Sequence, residues 1–519
     1  QDLTKVNAEV ADAIDKYDFG GVILFAENVK ETKQTLALTQ DMQKAAIENK
    51  ANNGKIPLLL AIDQEGGIVY RLGTGTALPG NMAIGATNDP KLAKEAGQII
   101  GPCRMMAPAV EELANEQDDV IVGKLNVDFA PVLDTNNNPQ NPVIGLRSFS
   151  SDPNRVAYLG IPMMKGIQDY NVAVAAKHFP GHGDTDTDSH YVLPVLNFNR
   201  DRLDSVELYP FREAIKAGIG GMMIGHLHVA ELDNRPASIS SEVITSVLCK
   251  ELGFSGLVFT DALEMKGISD NADNPCAQAL MAGNDLLLVP RNLKKSLESV
   301  MRAIKAGKLS EKVITEKCRK VLMYKYALGL SHKQHTELDG IKQRIHTAGM
   351  DSLLAAMEKA AVTVLKDSAD VLPLDLSLSG NVLLSLSSSL SDDYPFYKEL
   401  KKTVSLAWLH GNADSLNRIQ ERITPAQQVI VAVHPNTNFQ PFLPLLEKLA
   451  VDKPVVIVCF ASQDILQEMP SVLRNVSAVV LAHTDKTYIQ QYVADVMTGQ
   501  DIVNGRLSVV MEEWYRDNP

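Results

Sequence analysis

The sequence predicts two α/β units in one chain, a (β/α)8 TIM-type barrel followed by a three-layer α/β sandwich. Three observations carry this. Short apolar runs alternate with helix-length amphipathic segments along most of the chain, the rhythm of a parallel sheet with helices outside it. In the first part, polar residues fall at the carboxyl ends of separate runs: Asp63, Asp134, Lys177 with His178, His226 and Asp261. A barrel gathers such ends at one mouth, where barrel active sites lie. The rhythm then pauses over a polar stretch and restarts, and 519 residues exceed one ordinary domain.

Taken in order, residues 3–17 have helical spacing and lead into a strand over 20–25. A helix over 31–49 and a strand over 56–63 follow. Further strands are expected over 126–134, 172–178, 221–226, 257–261 and 285–289, with helices over 153–169, 204–217 and 240–252 between them. Seven strands approach the eight of a closed barrel. Helices over 293–306 and 310–327 complete a first domain of residues 1–330. Residues 331–343 open with a polar, Gly- and His-containing stretch that reads as a linker. A second domain, 344–519, opens with a helix over 344–361. Its strands are expected over 382–386, 404–409, 429–433, 455–460 and 479–483. No internal repeat is evident.

Composition narrows the function. With 45% hydrophobic and 22% charged residues the chain is an ordinary soluble globular protein. A formal net charge of −13 argues against nucleic acid as a partner. Aromatics make up 5% of residues, too few for a polymer-stacking platform. Cys103, Cys249, Cys276, Cys318 and Cys459 are widely spaced, with no C-x-x-C pair, and read as free thiols. No apolar run reaches the ~18 residues of a membrane span. The chain starts at Gln1 rather than Met, so a removed signal or other upstream segment is expected.

The densest chemistry lies in Lys177-His178-Phe179-Pro180-Gly181-His182-Gly183-Asp184-Thr185-Asp186-Thr187-Asp188-Ser189-His190. Three histidines and three aspartates in one loop point to a task rather than a solvated turn. Asp184-x-Asp186-x-Asp188 has calcium-loop spacing, but that loop needs Gly sixth and Glu twelfth, where Ser189 and Val195 stand. A transition-metal site on His178, His182 and His190 stays open on spacing, although no helix fixes those ligands and no Cys supports them. An acid/base loop is favoured: Asp188 and His190, two residues apart, lie on one side of an extended segment. A carboxylate beside imidazole fixes its tautomer and stabilises its cation, which makes a proton donor near neutral pH.

This loop, with Asp63-Gln64-Glu65-Gly66-Gly67, Asn141 to Phe149 and Phe259-Thr260-Asp261-Ala262-Leu263-Glu264-Met265, resembles the signatures of glycoside hydrolase family 3 in its β-N-acetylglucosaminidase branch. The likeness covers roughly the first two-thirds of the chain. The close, Gly505-Arg506-Leu507-Ser508-Val509, is similar to the family's Gly-Arg-Leu-Pro-Val ending. The resemblance implies Asp261 as nucleophile and His190, oriented by Asp188, as acid/base on a mobile loop. It implies sugar contacts from Asp63, Arg71, Arg147, Lys177 and His178. It also implies a strand before the opening helix, so the chain is expected to begin just after the first barrel strand. Residues 102–124 depart from the family pattern.

Plainer readings stand beside these. Asp261 is also a good helix N-cap, with Glu264 at capping-box spacing. Arg71 and Arg147 could be structural ion pairs. The activity implied is a retaining exo-β-N-acetylglucosaminidase acting on small glycosides such as peptidoglycan-derived muropeptides. A phosphorylase on the same sugars is the alternative, because a His acid/base lacks the carboxylate charge that repels phosphate. Intact Asp261, Asp188 and His190 argue against a non-catalytic sugar-binding protein. The β-glucosidase branch lacks the Asp188-Ser189-His190 loop. No cofactor or metal is expected, and neither is a membrane span. A monomer exported to the periplasm or cell envelope of a bacterium is expected, its second domain a scaffold.

Overall fold

The computed structural model describes residues 4–48, 56–72, 75–105, 125–270, 272, 275–331, 349–387, 390–391 and 393–508. The chain divides into two compact units, Gln1–Asn81 with Pro90–Met350, and Met82–Asp89 with Asp351–Pro519. The short segment Met82–Asp89 thus groups with the second unit, although it lies early in the chain. Most of the expected linker, 332–343, lies outside the described residues, as do 106–124, 344–348 and Val509.

In the first unit the strands are β1 (Gly21–Leu24), β2 (Leu59–Ile62), β3 (Val127–Asp128), β4 (Ala173–Phe179), β5 (Val195–Leu196), β6 (Gly221–Ile224), β7 (His228–Val229) and β8 (Leu257–Thr260). Six make one parallel, curled sheet in the order β1-β2-β3-β4-β6-β8. Strands β2, β3, β4, β6 and β8 are buried on both faces, so their sequences are nearly continuous apolar runs. In β2, Leu59 and Ala61 join Phe129, Ala175, Met223 and Phe259 in the inner core. Leu60 and Ile62 face the other way, toward Leu36 and Met42 of helix Thr32–Ile47. This alternation is the barrel's inside-and-outside pattern.

Several elements depart from expectation. The strand expected over 126–134 shrinks to Val127–Asp128, because Pro131 has no N–H to give a ladder. Pairing resumes as one bridge, Val132 to Lys177. The strand expected over 285–289 is likewise one bridge, Phe259 to Leu286. Val289, at φ 42°, turns the chain aside just before Pro290. The helix expected over 204–217 is a π turn, Leu203–Glu207, joined to an α-helix, Tyr209–Lys216. Between 240 and 252 the helix is π, Glu242–Glu251. Strands β5 and β7 form a small parallel ribbon that was not expected.

The second unit holds β9 (Thr363–Asp367), β10 (Asn381–Ser385), β11 (Leu406–His410), β12 (Gln428–Val433), β13 (Val455–Cys459) and β14 (Ala478–Leu481). Their order is β11-β10-β12-β13-β14-β9, parallel except for β9, which runs antiparallel to β14. Successive residues serve opposite faces. Val429, Val431 and Val433 pack with Leu445, Leu446 and Leu449 of helix Leu443–Asp452. Ile430 and Ala432 pack with Ile489, Val493 and Met497 of helix Thr487–Met497. Helices on both faces make the expected three-layer sandwich. Strand β9 escaped the sequence reading because helix Met350–Ala361 runs into it with only Val362 between.

Candidate active site

A cleft of about 540 Å³ opens over the carboxyl ends of the barrel strands. Asp63, Arg71, Arg147, Lys177, His178, His190 and Asp261 all line it, and Asp188 stands behind His190. A second cavity of about 530 Å³ lies between β1 and residues 286–290. Its lining is almost wholly apolar, with Phe19, Phe129, Phe259 and Leu286 in its wall, so the chemistry is placed in the first cleft.

The cleft floor is a buried charge network. Lys177 Nζ donates to Asp63 Oδ1 at 2.6 Å and pairs with Glu65 Oε1 at 2.6 Å. Arg147 closes its fork on Glu65, with Nε to Oε2 at 2.8 Å and Nη2 to Oε1 at 2.7 Å. Its Nη1 donates to the Val143 carbonyl at 3.1 Å. Arg147 thus makes the ion pair that was the plainer of its two readings, and it also lines the cleft. Arg71 is different: its Nε is buried and has no hydrogen-bond partner among the described residues. Burial opposes the charge on Glu65, but Arg147 and Lys177 overcome it and hold the carboxyl far below its ordinary value. Burial also works against the Lys177 cation, yet Asp63 and Glu65 raise its pKa.

Glu65 was not singled out from sequence as a site residue, and it is the hub of this floor. Replacing Glu65 by Ala should strip buried Arg147 of its ion partner, leave Lys177 with Asp63 alone, and destabilise the protein by about 3–5 kcal/mol. Urea unfolding of the variant would measure this. Because the folded-state pKa of Glu65 is lowered, its contribution is present at neutral pH and is lost as pH falls below the ordinary Glu range. The gap between wild type and variant should therefore narrow in acid.

Asp134, fully buried after β3, accepts from three donors: His178 N at 3.1 Å, His178 Nδ1 at 2.8 Å and His182 N at 2.7 Å. Burial alone would raise its pKa, and His178 above all lowers it. An ionised Asp134 fixes the proton of His178 on Nδ1, which leaves Nε2 for the cleft. The sequence marked Asp134 as a strand-end carboxylate but not as the partner of His178. His182 has both ring nitrogens engaged, Nδ1 with Thr185 Oγ1 at 2.7 Å and Nε2 with Ser189 Oγ at 3.0 Å. Burial, then the nearby His178, pushes its pKa down to about 4, so it is neutral at pH 7. Asp184 is held by Arg202 at 2.7 Å. These side chains, weighed from sequence as metal ligands, are thus tied into the protein's own hydrogen bonds.

Asp261 follows β8 and opens onto the cleft. It caps no helix: the next one, Lys266–Ser269, has Met265 at its N-cap. Its Oδ1 accepts from Ala262 N at 2.7 Å. Burial raises its pKa, but His226, His178, that backbone N–H and Lys177 outweigh it and hold the carboxyl below its usual range. His226, wholly buried, meets Ser238 Oγ at 2.8 Å and the Ala262 carbonyl at 3.0 Å, which steadies the backbone behind the carboxylate. Both of its ring nitrogens are engaged.

The acid/base loop leaves β4 past Gly181, at φ 137°, and Gly183. A Cβ on Gly183 would lie 1.9 Å from the Thr135 carbonyl oxygen, so only glycine passes there. At the tip His190 Nδ1 meets Asp188 Oδ1 at 2.7 Å, and the His190 side chain is 59% exposed. The carboxylate accepts from Nδ1–H and leaves Nε2 as the working nitrogen. His190 lines the same cleft as Asp261, and Lys266 N and Gly267 N donate to the carbonyls of His190 and Ser189 at 3.2 and 3.1 Å.

Comparison with known proteins gives the family. Residues 2–324 match the glycosyl hydrolase family 3 N terminal domain. The chain is 36% identical over 398 residues to beta-hexosaminidase A of Pseudoalteromonas piscicida, covering 72% of this chain and 63% of that one. It is 35% identical over 294 residues to a beta-hexosaminidase of Tolumonas auensis, covering 56% of this chain and 80% of that one. Its structure is similar to that of a glycoside hydrolase family 3 beta-N-acetylglucosaminidase from Paenibacillus sp. str. FPU-7. The TM-score is 0.79 at 30% identity, over 98% of this chain and 96% of that one. A beta-glucoside phosphorylase, BglX, shares the fold alone, with a TM-score of 0.73 at 21% identity. Fold and site together are those of a glycoside hydrolase. The chain belongs to glycoside hydrolase family 3. No helix among the described residues is long and apolar enough to cross a membrane.

Proposed function

We propose that the chain is a retaining exo-β-N-acetylglucosaminidase that releases terminal GlcNAc from small β-glycosides, peptidoglycan-derived disaccharides among them. One observation carries this reading: an ionised carboxylate, Asp261, and the exposed imidazole of His190, backed by Asp188, line one cleft of sugar size. Asp261 attacks the anomeric carbon while His190 Nε2–H protonates the leaving oxygen. The bond to the aglycone breaks and a glycosyl–Asp261 ester forms. His190, now neutral, takes a proton from water, whose oxygen displaces Asp261 and restores the starting configuration. Asp63, Lys177, Arg71 and His178 supply hydroxyl contacts. All of these groups come from one chain, so a monomer suffices. The names of the relatives favour the N-acetyl sugar. Export to the cell envelope, where muropeptides arise, fits this substrate.

An aryl β-N-acetylglucosaminide should be cleaved on the order of 100-fold faster in kcat/KM than the matching glucoside. Equal rates would remove the N-acetyl reading. The same assay with added phosphate separates hydrolysis from phosphorolysis: free GlcNAc is expected in both arms, and a sugar 1-phosphate would move the reading to a phosphorylase.

A further inference from the structure

The acid/base pair Asp188 and His190 straddles a residue unlike either. Ser189 is 2% exposed, whereas the His190 side chain beside it is 59% exposed. Ser189 is held from two sides. Its carbonyl accepts from Gly267 N at 3.1 Å, and a Cβ on Gly267 would come within 2.5 Å of that oxygen. Its hydroxyl meets His182 Nε2 at 3.0 Å.

The direction of that second bond follows from the protons around it. Thr185 Oγ1 gives its one proton to the His182 carbonyl at 3.1 Å and accepts from Asn141 Nδ2 at 3.3 Å. It therefore also accepts from His182 Nδ1–H, at 2.7 Å. A neutral His182 then has a bare Nε2, and the Ser189 hydroxyl donates to it. His182 is itself tied to the barrel, with its N–H on Asp134 Oδ1 at 2.7 Å and its carbonyl accepting from Asn141 Nδ2 at 2.8 Å. A continuous line of hydrogen bonds thus runs from Asp134 through His182 to the residue between the two members of the acid/base pair.

We propose that His182 and Ser189 are positioning residues for proton transfer: the Ser189 Oγ–His182 Nε2 hydrogen bond sets where His190 stands over the leaving oxygen. Neither residue carries the proton to substrate; both act through His190. This inference rests on the reading of His190 as proton donor.

The test compares kcat/KM, which reports formation of the glycosyl-enzyme, on two leaving groups. Ser189→Ala removes the donor and keeps the carbonyl bonded to Gly267. On a β-1,4-linked GlcNAc disaccharide, whose leaving sugar needs protonation, it should lose roughly tenfold, the scale of one hydrogen bond. On a 2,4-dinitrophenyl N-acetylglucosaminide, which needs none, it should stay within about twofold. His182→Gln offers an acceptor oxygen near the place of Nε2 and should retain more disaccharide activity than His182→Asn, which does not reach it. Equal losses on both leaving groups, or no loss on either, would overturn the proposal, as would His182→Asn outperforming His182→Gln. If the His182 variants do not fold, the Ser189→Ala comparison decides alone. His190→Ala is run in parallel. If it shows no leaving-group dependence, the reading of His190 fails. If it shows that dependence and Ser189→Ala does not, only the positioning role fails.

Discussion

Asp261→Asn should lower kcat on a β-N-acetylglucosaminide by on the order of 10⁶-fold, the scale of loss when a nucleophile is removed and binding remains. Asn is nearly isosteric and its side-chain oxygen can still accept from Ala262 N, so the fold and the thermal unfolding midpoint should stay close to wild type. What disappears is the anion. Burial would by itself raise the Asp261 pKa, but His226 and His178 lower it below 3.8. Any acid-side fall in kcat/KM caused by Asp261 should therefore lie below pH 3.8. A fluorinated substrate analogue that stalls the second step should leave its label on Asp261, read by peptide mass spectrometry. A label on another carboxylate, or an Asn variant with near-normal turnover, would overturn the assignment.

How much of this was legible in the sequence depended on how local each signal was. Strands buried on both faces, such as Gln428–Val433 and Val455–Cys459, read as apolar runs because nothing in their surroundings calls for polar residues. Strand-end residues stood out for the converse reason: Asp63, Lys177, His178 and Asp261 interrupt apolar stretches. The loop 177–190 was legible because its titratable residues are consecutive in the chain. What depended on distant partners was not. Arg147 was balanced between sugar contact and ion pair, and its partner Glu65 lies 82 positions away. The link from Asp134 to His178 and His182 spans 44 and 48 positions. The assignment of Met82–Asp89 to the second unit could not be read from chain order. Ser189 gave no signal, since a serine between Asp and His in a polar loop reads as solvated until its burial is known.

His190→Ala should slow substrates with poor leaving groups by roughly 10²–10⁴-fold, the usual worth of a general acid. Asp261 can displace an activated phenolate without help, so formation of the glycosyl-enzyme from a dinitrophenyl glycoside should change little. The second step still needs a base to take the proton of water, so kcat on that same substrate should fall and glycosyl-enzyme should accumulate. A burst of phenolate before the steady state is the expected signature. Asp188→Ala should act in the same direction but more weakly, because it removes the acceptor that holds the Nδ1 proton at 2.7 Å and leaves the proton carrier in place. The measurement is a series of aryl leaving groups on wild type and both variants, plotted against leaving-group pKa. A steep line for His190→Ala with a shallower one for wild type is expected. Parallel lines would show that His190 donates no proton, and Glu264, which lines the same cleft, would then be the next carboxyl to test.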